Sequence, residues 1–278
     1  MSVLQQNEKV KDLHTLFSQE DNEMWAKLNK KQSERLEEYA TPTFLSNLKK
    51  FNLPSDRVPT LSEISAHLYD ATGWQVSPVK GLIDYNAYFS LLQQKLFPAA
   101  MFMRTSNEED LCKDPDLFHE VFGHCTMLLS QEYADFMQNF AKFALTVAPE
   151  DRPLFSRLIW FTTETALIRM DGQLKIFGSS ILSSYEESFY AINNAHVIHK
   201  PFSPINIFRE PYRADILQKV YYVLDNSNQI YNLLNDIPAL YQQLDKARKL
   251  GEFEPMFEIS HDKYSNIGHC KQREPELA

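Results

Sequence analysis

The scarcity and spacing of glycine limit what this chain can fold into. The 278 residues include seven glycines, whereas an average usage of about 7% predicts roughly 19. They are widely spaced, at Gly73, Gly81, Gly123, Gly172, Gly178, Gly251 and Gly268. Neither the G-x-G-x-x-G turn nor the G-x-x-x-x-G-K-[ST] loop can therefore be formed. This excludes the Rossmann dehydrogenases and the P-loop NTPases.

Helix signals dominate the sequence. Thr41-Pro42 provides an N-cap followed by a first-turn proline, and Thr60 with Glu63 forms a capping box before a helix that Gly73 should end. Apolar periodicity and caps together predict helices over residues 22–39, 42–53, 61–72, 84–96, 118–129, 130–147 and 149–169. A last helix is expected from Ser227, with a kink at Pro238.

Extended structure is expected in only a few short segments, over residues 173–182, 196–208 and 221–224. We find no internal repeat and no low-complexity segment. The pattern predicts one α+β domain that is predominantly helical, with a few short strands.

Charge and hydropathy narrow the range of partners. The formal net charge is -9, and the clustered positive charge of a nucleic-acid-binding surface is missing. The apolar run over residues 96–103 is far shorter than the roughly 20 residues that span a bilayer. The N-terminus lacks a signal-peptide pattern, and the three cysteines are odd in number. We expect a cytoplasmic protein that binds neither nucleic acid nor membrane.

The segment His119-Glu120-Val121-Phe122-Gly123-His124 is the most informative for chemistry. Neutral imidazole is the commonest metal ligand in proteins. Zinc hydrolases of the H-E-x-x-H type space their histidines at i and i+4, but here the spacing is i and i+5. Such residues lie about 140° apart on a regular α-helix. The pair can reach one ion only if the helix opens, and Gly123 gives the backbone that freedom.

A third ligand is expected from an acidic residue in an apolar setting. Glu164 lies inside the apolar pattern of Trp160, Phe161, Leu167 and Ile168. A buried carboxylate needs a partner, either a metal ion or an arginine in a structural salt bridge. Two histidines and one carboxylate form the facial triad of non-haem Fe(II) oxygenases. A zinc hydrolase with Glu120 as general base is the alternative, and a non-catalytic helical binding protein is a third hypothesis.

At these residues the sequence resembles the pterin-dependent aromatic amino acid hydroxylases, and within them the short bacterial phenylalanine 4-hydroxylase type. The similarity continues in order over residues 20 to 235. It includes Val58-Pro59-Thr60-Leu61, Thr72-Gly73-Trp74, Phe97-Pro98, Arg104, Pro115-Asp116, the segment from His119 to His124, Trp160-Phe161-Thr162 with Glu164, Leu182-Ser183-Ser184, and Gln218 with Tyr221-Tyr222-Val223. Each piece is weak alone, but the combination is highly specific.

The resemblance implies roles for particular residues. It implies iron binding by His119, His124 and Glu164, and orientation of Arg104 and His119 by Asp116. Substrate-binding positions would be Arg104 for the carboxylate, Trp160 as an aromatic wall, Ser183, and Cys112 in a loop before the first histidine. Pterin-binding positions would be Gly81, Ile83, Tyr88 and Glu120. From the residues alone, Tyr88 is equally a core aromatic, and Ser183 is equally a helix N-cap.

Some positions depart from the usual family pattern. They are Cys112, Thr126, Thr165, Ala166 and Ser180, the last in a loop that is usually richer in glycine. These departures lie around the substrate pocket and spare the three ligand positions.

The resemblance also implies an activity and an organisation. The expected reaction is ring hydroxylation of L-phenylalanine to tyrosine with Fe(II), a tetrahydropterin and O2. The same chemistry on tryptophan, or at another ring position, remains an alternative. We expect a flexible N-terminus (1–18), an iron- and pterin-binding catalytic domain (19–251) and a C-terminal tail (252–278). The tail shows no heptad pattern, so a monomer is expected.

Overall fold

The computed structural model describes residues 17–106 and 114–257. Helices make up most of this part of the chain. In chain order, the α-helices are α1 Gln19–Tyr39, α2 Pro42–Phe51, α3 Leu61–Thr72, α4 Tyr85–Leu92, α5 Thr126–Leu128, α6 Gln131–Ala144, α7 Arg152–Ile159, α8 Ser179–Leu182, α9 Tyr185–Asn193, α10 Pro204–Arg209, α11 Asn228–Tyr231 and α12 Ile237–Leu250. Two π-helices, His119–Cys125 and Trp160–Glu164, lead into α5 and continue α7.

Six short strands form two small sheets. The strands are β1 Gln75–Val79, β2 Leu96–Ala100, β3 Leu167–Met170, β4 Gln173–Ile176, β5 Ile198–Pro201 and β6 Val220–Leu224. β1 and β2 pair in parallel, and the second sheet has the order β4-β3-β6-β5, with only β3 and β4 antiparallel. The prediction of a predominantly helical α+β domain with short strands is confirmed.

Capping signals correctly indicate the start of α2 and both ends of α3, whereas α1 begins three residues before the predicted 22 and α2 ends at Phe51, two residues before the predicted 53. The Thr41 side chain accepts a hydrogen bond from the Phe44 amide, and Thr60 forms a reciprocal capping box with Glu63. Gly73 ends α3 with φ of 76°, in the left-handed region. Local side-chain chemistry is enough to set these boundaries.

The helix predicted over 149–169 is shorter than expected. It begins at Arg152 as an α-helix, widens into the π-helix at Trp160, and ends at Glu164. Leu167 and Ile168 belong to β3, where they pair with β6. Their apolar spacing fits a helix and a buried strand equally, and the sheet determines the outcome.

Several expected boundaries are also wrong. The 84–96 helix ends at Leu92, and Leu96 starts β2. The segments 173–182 and 196–208 each contain a strand followed by a short helix, α8 and α10 respectively. Pro238 does not kink a helix, because it lies in the first turn of α12, where proline is tolerated.

An aromatic core holds the first π-helix in place. Phe118 and Phe122 stack with ring centroids 4.7 Å apart, and Trp25 of α1 packs edge-on against Phe118 at 5.4 Å. Phe44 of α2 lies 6.0 Å from Phe122. The indole nitrogen of Trp25 donates to the Pro54 carbonyl at 2.8 Å, so even this buried polar atom is satisfied. The histidine-bearing helix therefore rests on a rigid aromatic layer.

Candidate metal centre

The first π-helix brings the two histidines together. The Thr126 amide donates to the carbonyl of Val121, five residues earlier, which is the hydrogen-bond pattern of a π-helix. This widened turn places residues i and i+5 on one side. As a result, the Nε2 atoms of His119 and His124 lie 3.2 Å apart, with the rings nearly perpendicular at 87°. The helix was expected to open between the histidines; instead, the whole segment His119–Cys125 is wound as a π-helix.

Gly123 has a different role from the one the sequence suggests. Its φ is not positive, so the backbone there needs no glycine. A Cβ at this position would lie 2.7 Å from the Ser179 carbonyl oxygen, which is too close for any side chain. Gly123 is required because the first π-helix packs directly against the backbone of α8.

Glu164 completes the cluster from the second π-helix. Its Oε1 lies 3.2 Å from Nε2 of His124, and its Oε2 lies 3.8 Å from Nε2 of His119. Among the described residues its ion-pair partners are these histidines rather than an arginine. Here too the helix is widened, since the Thr165 amide bonds the Trp160 carbonyl at 2.9 Å.

The three side chains fit a metal ion. Metal–ligand bonds of about 2.1 Å at right angles put neighbouring ligand atoms about 3 Å apart. The observed separations are close to this value: 3.2 Å between the two Nε2 atoms, 3.2 Å from His124 to Oε1 and 3.8 Å from His119 to Oε2. Two imidazole nitrogens and a carboxylate group that converge in this way are explained by a cation at their centre.

The pKa values of these groups favour their metal-binding forms. Burial lowers the pKa of His119 to about 4, and the neighbouring His124 adds to the effect. Burial alone would raise the pKa of Glu164, but the histidines and the Ser180 hydroxyl outweigh it and give a pKa of about 2. At neutral pH His119 is therefore uncharged and Glu164 is ionised, as ligands must be.

Ser183 supports the first histidine. Its Oγ lies 2.8 Å from Nδ1 of His119, which fixes the ring orientation. The alternative role as cap of α9 belongs instead to Ser184, whose side chain accepts from the Glu187 amide. Gln32 of α1 donates to the carbonyl of Leu182 at 2.8 Å and so holds the backbone next to Ser183.

Asp116 and Arg104 form a buried pair beside the site. Arg104 donates from Nε to Oδ2 at 2.9 Å and from Nη2 to Oδ1 at 2.8 Å. Asp116 Oδ1 also accepts from the backbone amide of His119 at 3.0 Å. Burial opposes ionisation of Asp116, yet the Arg104 guanidinium and the backbone amides of His119 and Arg104 lower its pKa below the ordinary value. Asp116 thus links Arg104 to the start of the first π-helix.

Glu120 is a second carboxylate at the site. One of its oxygens lies within 4.8 Å of ligand nitrogens of His119 and His124. Its pKa is well above the ordinary range, because the group is buried and faces the charges of Glu164 and Asp116. The protonated form is a poor metal ligand and a poor general base. Glu164, closer and ionised, is the better third ligand.

Trp160 and Tyr88, two further predicted pocket residues, are held by aromatic contacts. Trp160 begins the π-helix that Glu164 ends; its ring stacks on Tyr212 at 4.7 Å and its Nε1 donates to Gln218 at 3.3 Å. Tyr88 packs edge-on against Phe89 at 5.1 Å, and its pKa is raised by burial and by the charges of Glu164 and Glu120. Tyr88 is therefore both a packed aromatic and a neighbour of the site.

Gly81 and Ile83 lie on the loop between β1 and α4, beside the 73% exposed side chain of Leu82. This loop is accessible to a ligand from solvent. Cys112, the remaining predicted substrate contact, lies outside the described residues.

Two features of the site were missed by the sequence reasoning. Ser180 donates a hydrogen bond to Oε2 of Glu164 at 2.9 Å. Gly178 packs so tightly that a Cβ there would lie 2.3 Å from the Glu164 carbonyl oxygen. The sequence signal was the Gly178-Ser179-Ser180 segment before Ser183. Its contact with Glu164, 14 residues before Gly178, depends on the β3–β4 hairpin between them.

Two histidines and a carboxylate on one face of an ion define the class of mononuclear non-haem iron oxygenases. The chain belongs to the family of biopterin-dependent aromatic amino acid hydroxylases, whose family model matches residues 4–262. Membership leaves the zinc-hydrolase alternative without support. In the described part of the chain, no helix is both long and apolar enough to cross a membrane.

Named relatives and solved structures agree with the family match. The phenylalanine-4-hydroxylase of Vibrio cholerae is 38% identical over 253 residues, which cover 91% of this chain and 86% of that protein. The structure of phenylalanine hydroxylase from Legionella pneumophila aligns with a TM-score of 0.83 at 40% identity, covering 87% of this chain and 95% of that one. The Chromobacterium violaceum enzyme, with bound iron(III) and 7,8-dihydrobiopterin, aligns with a TM-score of 0.79 at 32% identity, covering 88% of each chain.

Proposed function

We propose that this protein hydroxylates the ring of L-phenylalanine to give tyrosine, using Fe(II), a tetrahydropterin and O2. The observation that carries the proposal is the convergence of His119, His124 and Glu164, with ligand atoms 3.2 to 3.8 Å apart. The substrate is supported by relatives named phenylalanine-4-hydroxylase at 33–38% identity.

The metal would be held by Nε2 of each histidine and by the Glu164 carboxylate. Reduced iron and the pterin, when bound, supply the activation of dioxygen, which no side chain can provide. The protein contributes a fixed set of ligands. Ser183 sets the ring of His119, and Asp116 holds the backbone amide of the same residue.

Arg104 is proposed to bind the carboxylate of the amino acid. Arg104 is 4% exposed, and its guanidinium is held in one plane by the two parallel bonds to Asp116. A planar fork that is already oriented loses little entropy when it binds a carboxylate. Because Asp116 also contacts His119, the substrate carboxylate and the metal would be positioned by one connected structure.

The aromatic ring of the substrate is proposed to pack near Trp160, and the pterin near Tyr88. Trp160 is held by Tyr212 and Gln218, so its indole is a fixed wall. The accessible loop with Gly81 and Ile83 would offer backbone contacts to the pterin, and Glu120 would lie between pterin and metal. Together these groups would exclude water from the reacting ring.

Product identification tests this proposal. Metal-free protein is loaded with Fe(II) under anaerobic conditions, then given a tetrahydropterin, O2 and either phenylalanine, tryptophan or tyrosine. Mass spectrometry with NMR identifies the product and the ring position. We expect 4-hydroxylated phenylalanine. Hydroxylation of tryptophan only would show that the proposed substrate is wrong, and hydroxylation at another position of phenylalanine would show that the proposed ring position is wrong. If no hydroxylated amino acid forms, the proposed activity is overturned.

We further propose a cytoplasmic monomer whose catalytic domain spans residues 19–251, between an N-terminal segment (1–18) and a C-terminal tail (252–278). Light scattering on the intact protein should give a mass near 32.4 kDa. A mass twice as large would overturn the monomer. The start of the tail does contact the domain, since Glu252 pairs with Arg157 at 2.5 Å and the Phe253 amide bonds the Arg209 carbonyl at 2.9 Å.

A further inference from the structure

The two oxygens of Glu164 have different surroundings. Oε1 faces the metal-binding nitrogen of His124 at 3.2 Å. Oε2 lies 3.8 Å from Nε2 of His119 and also accepts a hydrogen bond from Ser180 Oγ at 2.9 Å. Each oxygen therefore faces one histidine, and Oε2, the one with the longer separation, is also held by a hydroxyl group.

We propose that Ser180 is a positioning residue that keeps Glu164 bound to the metal through Oε1 alone. The hydroxyl occupies a lone pair of Oε2 and holds this oxygen towards residues 178–183, which we call the serine turn. A carboxylate that binds through one oxygen leaves one more metal position for another ligand than a carboxylate that binds through two. The inference rests on the ligand set given under Proposed function.

The serine turn is placed rigidly enough for this role. Gly178 packs against the Glu164 backbone, where an added Cβ would lie 2.3 Å from the Glu164 carbonyl oxygen. Gly123 packs against Ser179, where an added Cβ would lie 2.7 Å from the Ser179 carbonyl oxygen. The turn is thus in backbone contact with both π-helices. A hydroxyl anchored on such a turn cannot follow a carboxylate that rotates by a large angle.

The same turn holds a second ligand. Ser183 Oγ lies 2.8 Å from Nδ1 of His119 and also donates within the turn, to the carbonyl of Ser179 at 3.0 Å or of Ser180 at 3.2 Å. One short segment therefore orients both an imidazole and the carboxylate. Loss of the Ser180 hydroxyl should free the carboxylate alone.

The test compares Ser180→Ala and Ser180→Gly, which remove the hydroxyl, with Ser180→Thr, which keeps it. Ser179→Ala is the matched control, because the adjacent Ser179 hydroxyl is buried and makes no hydrogen bond to Glu164. Each full-length variant is titrated with Co(II) to obtain its dissociation constant. Infrared difference spectra of Co(II)-loaded minus metal-free protein, with ¹³C-carboxylate glutamate, report how Glu164 binds.

We expect Ser180→Ala and Ser180→Gly to weaken Co(II) binding by about tenfold, the lower end of the effect of removing a partner of a metal ligand. Their two carboxylate stretching bands should move closer together, as expected when both oxygens bind the metal. Ser180→Thr and Ser179→Ala should behave as wild type. Thermal unfolding of each variant shows that it is folded.

Wild-type Co(II) affinity and unchanged stretching bands in Ser180→Ala would overturn the inference. An equal effect in Ser179→Ala would also overturn it, because packing of the turn would then explain the change. Glu164→Gln separates this result from the ligand assignment. If Glu164→Gln loses Co(II) and Ser180→Ala does not, only the role of Ser180 fails; if Glu164→Gln binds Co(II) normally, the ligand set itself is wrong.

Discussion

Two largely buried glutamates in this protein have opposite electrostatic behaviour. Glu164 has a pKa of about 2, and Glu187 in α9 has a pKa of about 7. Burial raises the pKa of both. Glu164 is compensated by two imidazoles and the Ser180 hydroxyl, whereas Glu187 accepts from the Tyr221 hydroxyl at 2.6 Å and from the Gln218 amide. Burial alone therefore does not identify a metal ligand; the convergence of two imidazoles on an ionised carboxylate does.

The largest expected effect separates the two glutamates directly. Glu164→Gln should raise the Co(II) dissociation constant by more than about 100-fold, because loss of a mere partner of a ligand already costs 10- to 100-fold. Glu187→Gln makes the same chemical change in the other buried group and should leave Co(II) binding unchanged. Equal Co(II) affinities for the two variants would remove the distinction.

A methyl group at Gly178 should disturb the backbone that carries Glu164. The added Cβ would lie 2.3 Å from the Glu164 carbonyl oxygen, and such overpacking costs about 1–3 kcal/mol or more. Gly178→Ala should therefore lose both stability in denaturant unfolding and Co(II) affinity.

Gly172→Ala is the control for Gly178→Ala. Gly172 has φ of 79° and open space around it, so its replacement costs about 1–2 kcal/mol from backbone strain. Its Co(II) affinity should stay at the wild-type value. If Gly178→Ala also bound Co(II) normally, the close packing at Glu164 would not matter for the site.

Arg104→Lys tests the buried pair between Arg104 and Asp116. A lysine cannot provide the two parallel hydrogen bonds that Arg104 makes. We expect KM for the amino acid to rise about tenfold, with a smaller change in kcat, since a lost charge-assisted hydrogen bond is worth roughly 1.5–3 kcal/mol. Steady-state kinetics measure both constants.

The matched substitution is Arg57→Lys. Arg57 makes a similar two-point pair with Glu63, at 3.0 and 2.6 Å, but its side chain is 45% exposed. Exposed ion pairs contribute about 0–1 kcal/mol. KM should not change in this variant, and a rise equal to that of Arg104→Lys would argue against a substrate role for Arg104.

The last expected effect concerns Glu187 and appears only in the pH dependence of stability. Its pKa is 4.5 when unperturbed and about 7 in the folded protein. Between these values the native state binds the extra proton, so stability is highest below pH 4.5 and falls as pH rises towards 7. Denaturant unfolding from pH 5 to 7 should show a loss of about 1 kcal/mol per pH unit that Glu187→Gln lacks. Identical pH slopes for the two proteins would contradict the raised pKa.

Part of the site could be predicted from local sequence. The i and i+5 histidines beside a glycine indicate an opened helix, and an acidic residue among apolar ones indicates a buried carboxylate. The reasoning about Glu164 was right about burial but partly for a wrong reason, because Leu167 and Ile168 lie in β3 rather than on its helix. The family resemblance provided Arg104, Asp116 and Ser183, which spacing alone does not connect.

The rest depends on tertiary structure. Glu187 and Tyr221 are 34 residues apart, and no periodicity relates them. Whether Gly178 is needed for φ or for space is equally invisible in sequence, since both demands select glycine. Helix caps were predictable because they are satisfied within four residues, and the ends of strands were not, because their partners come from distant segments.

The widened turn between the histidines also bears on how metal sites diversify. A π-turn accommodates one more residue than the α-turn it replaces while the flanking helix continues. An i, i+4 histidine pair and the i, i+5 pair of this protein therefore differ by a single inserted residue. One insertion can redirect a metal-binding helix towards a new third ligand without rebuilding the domain around it.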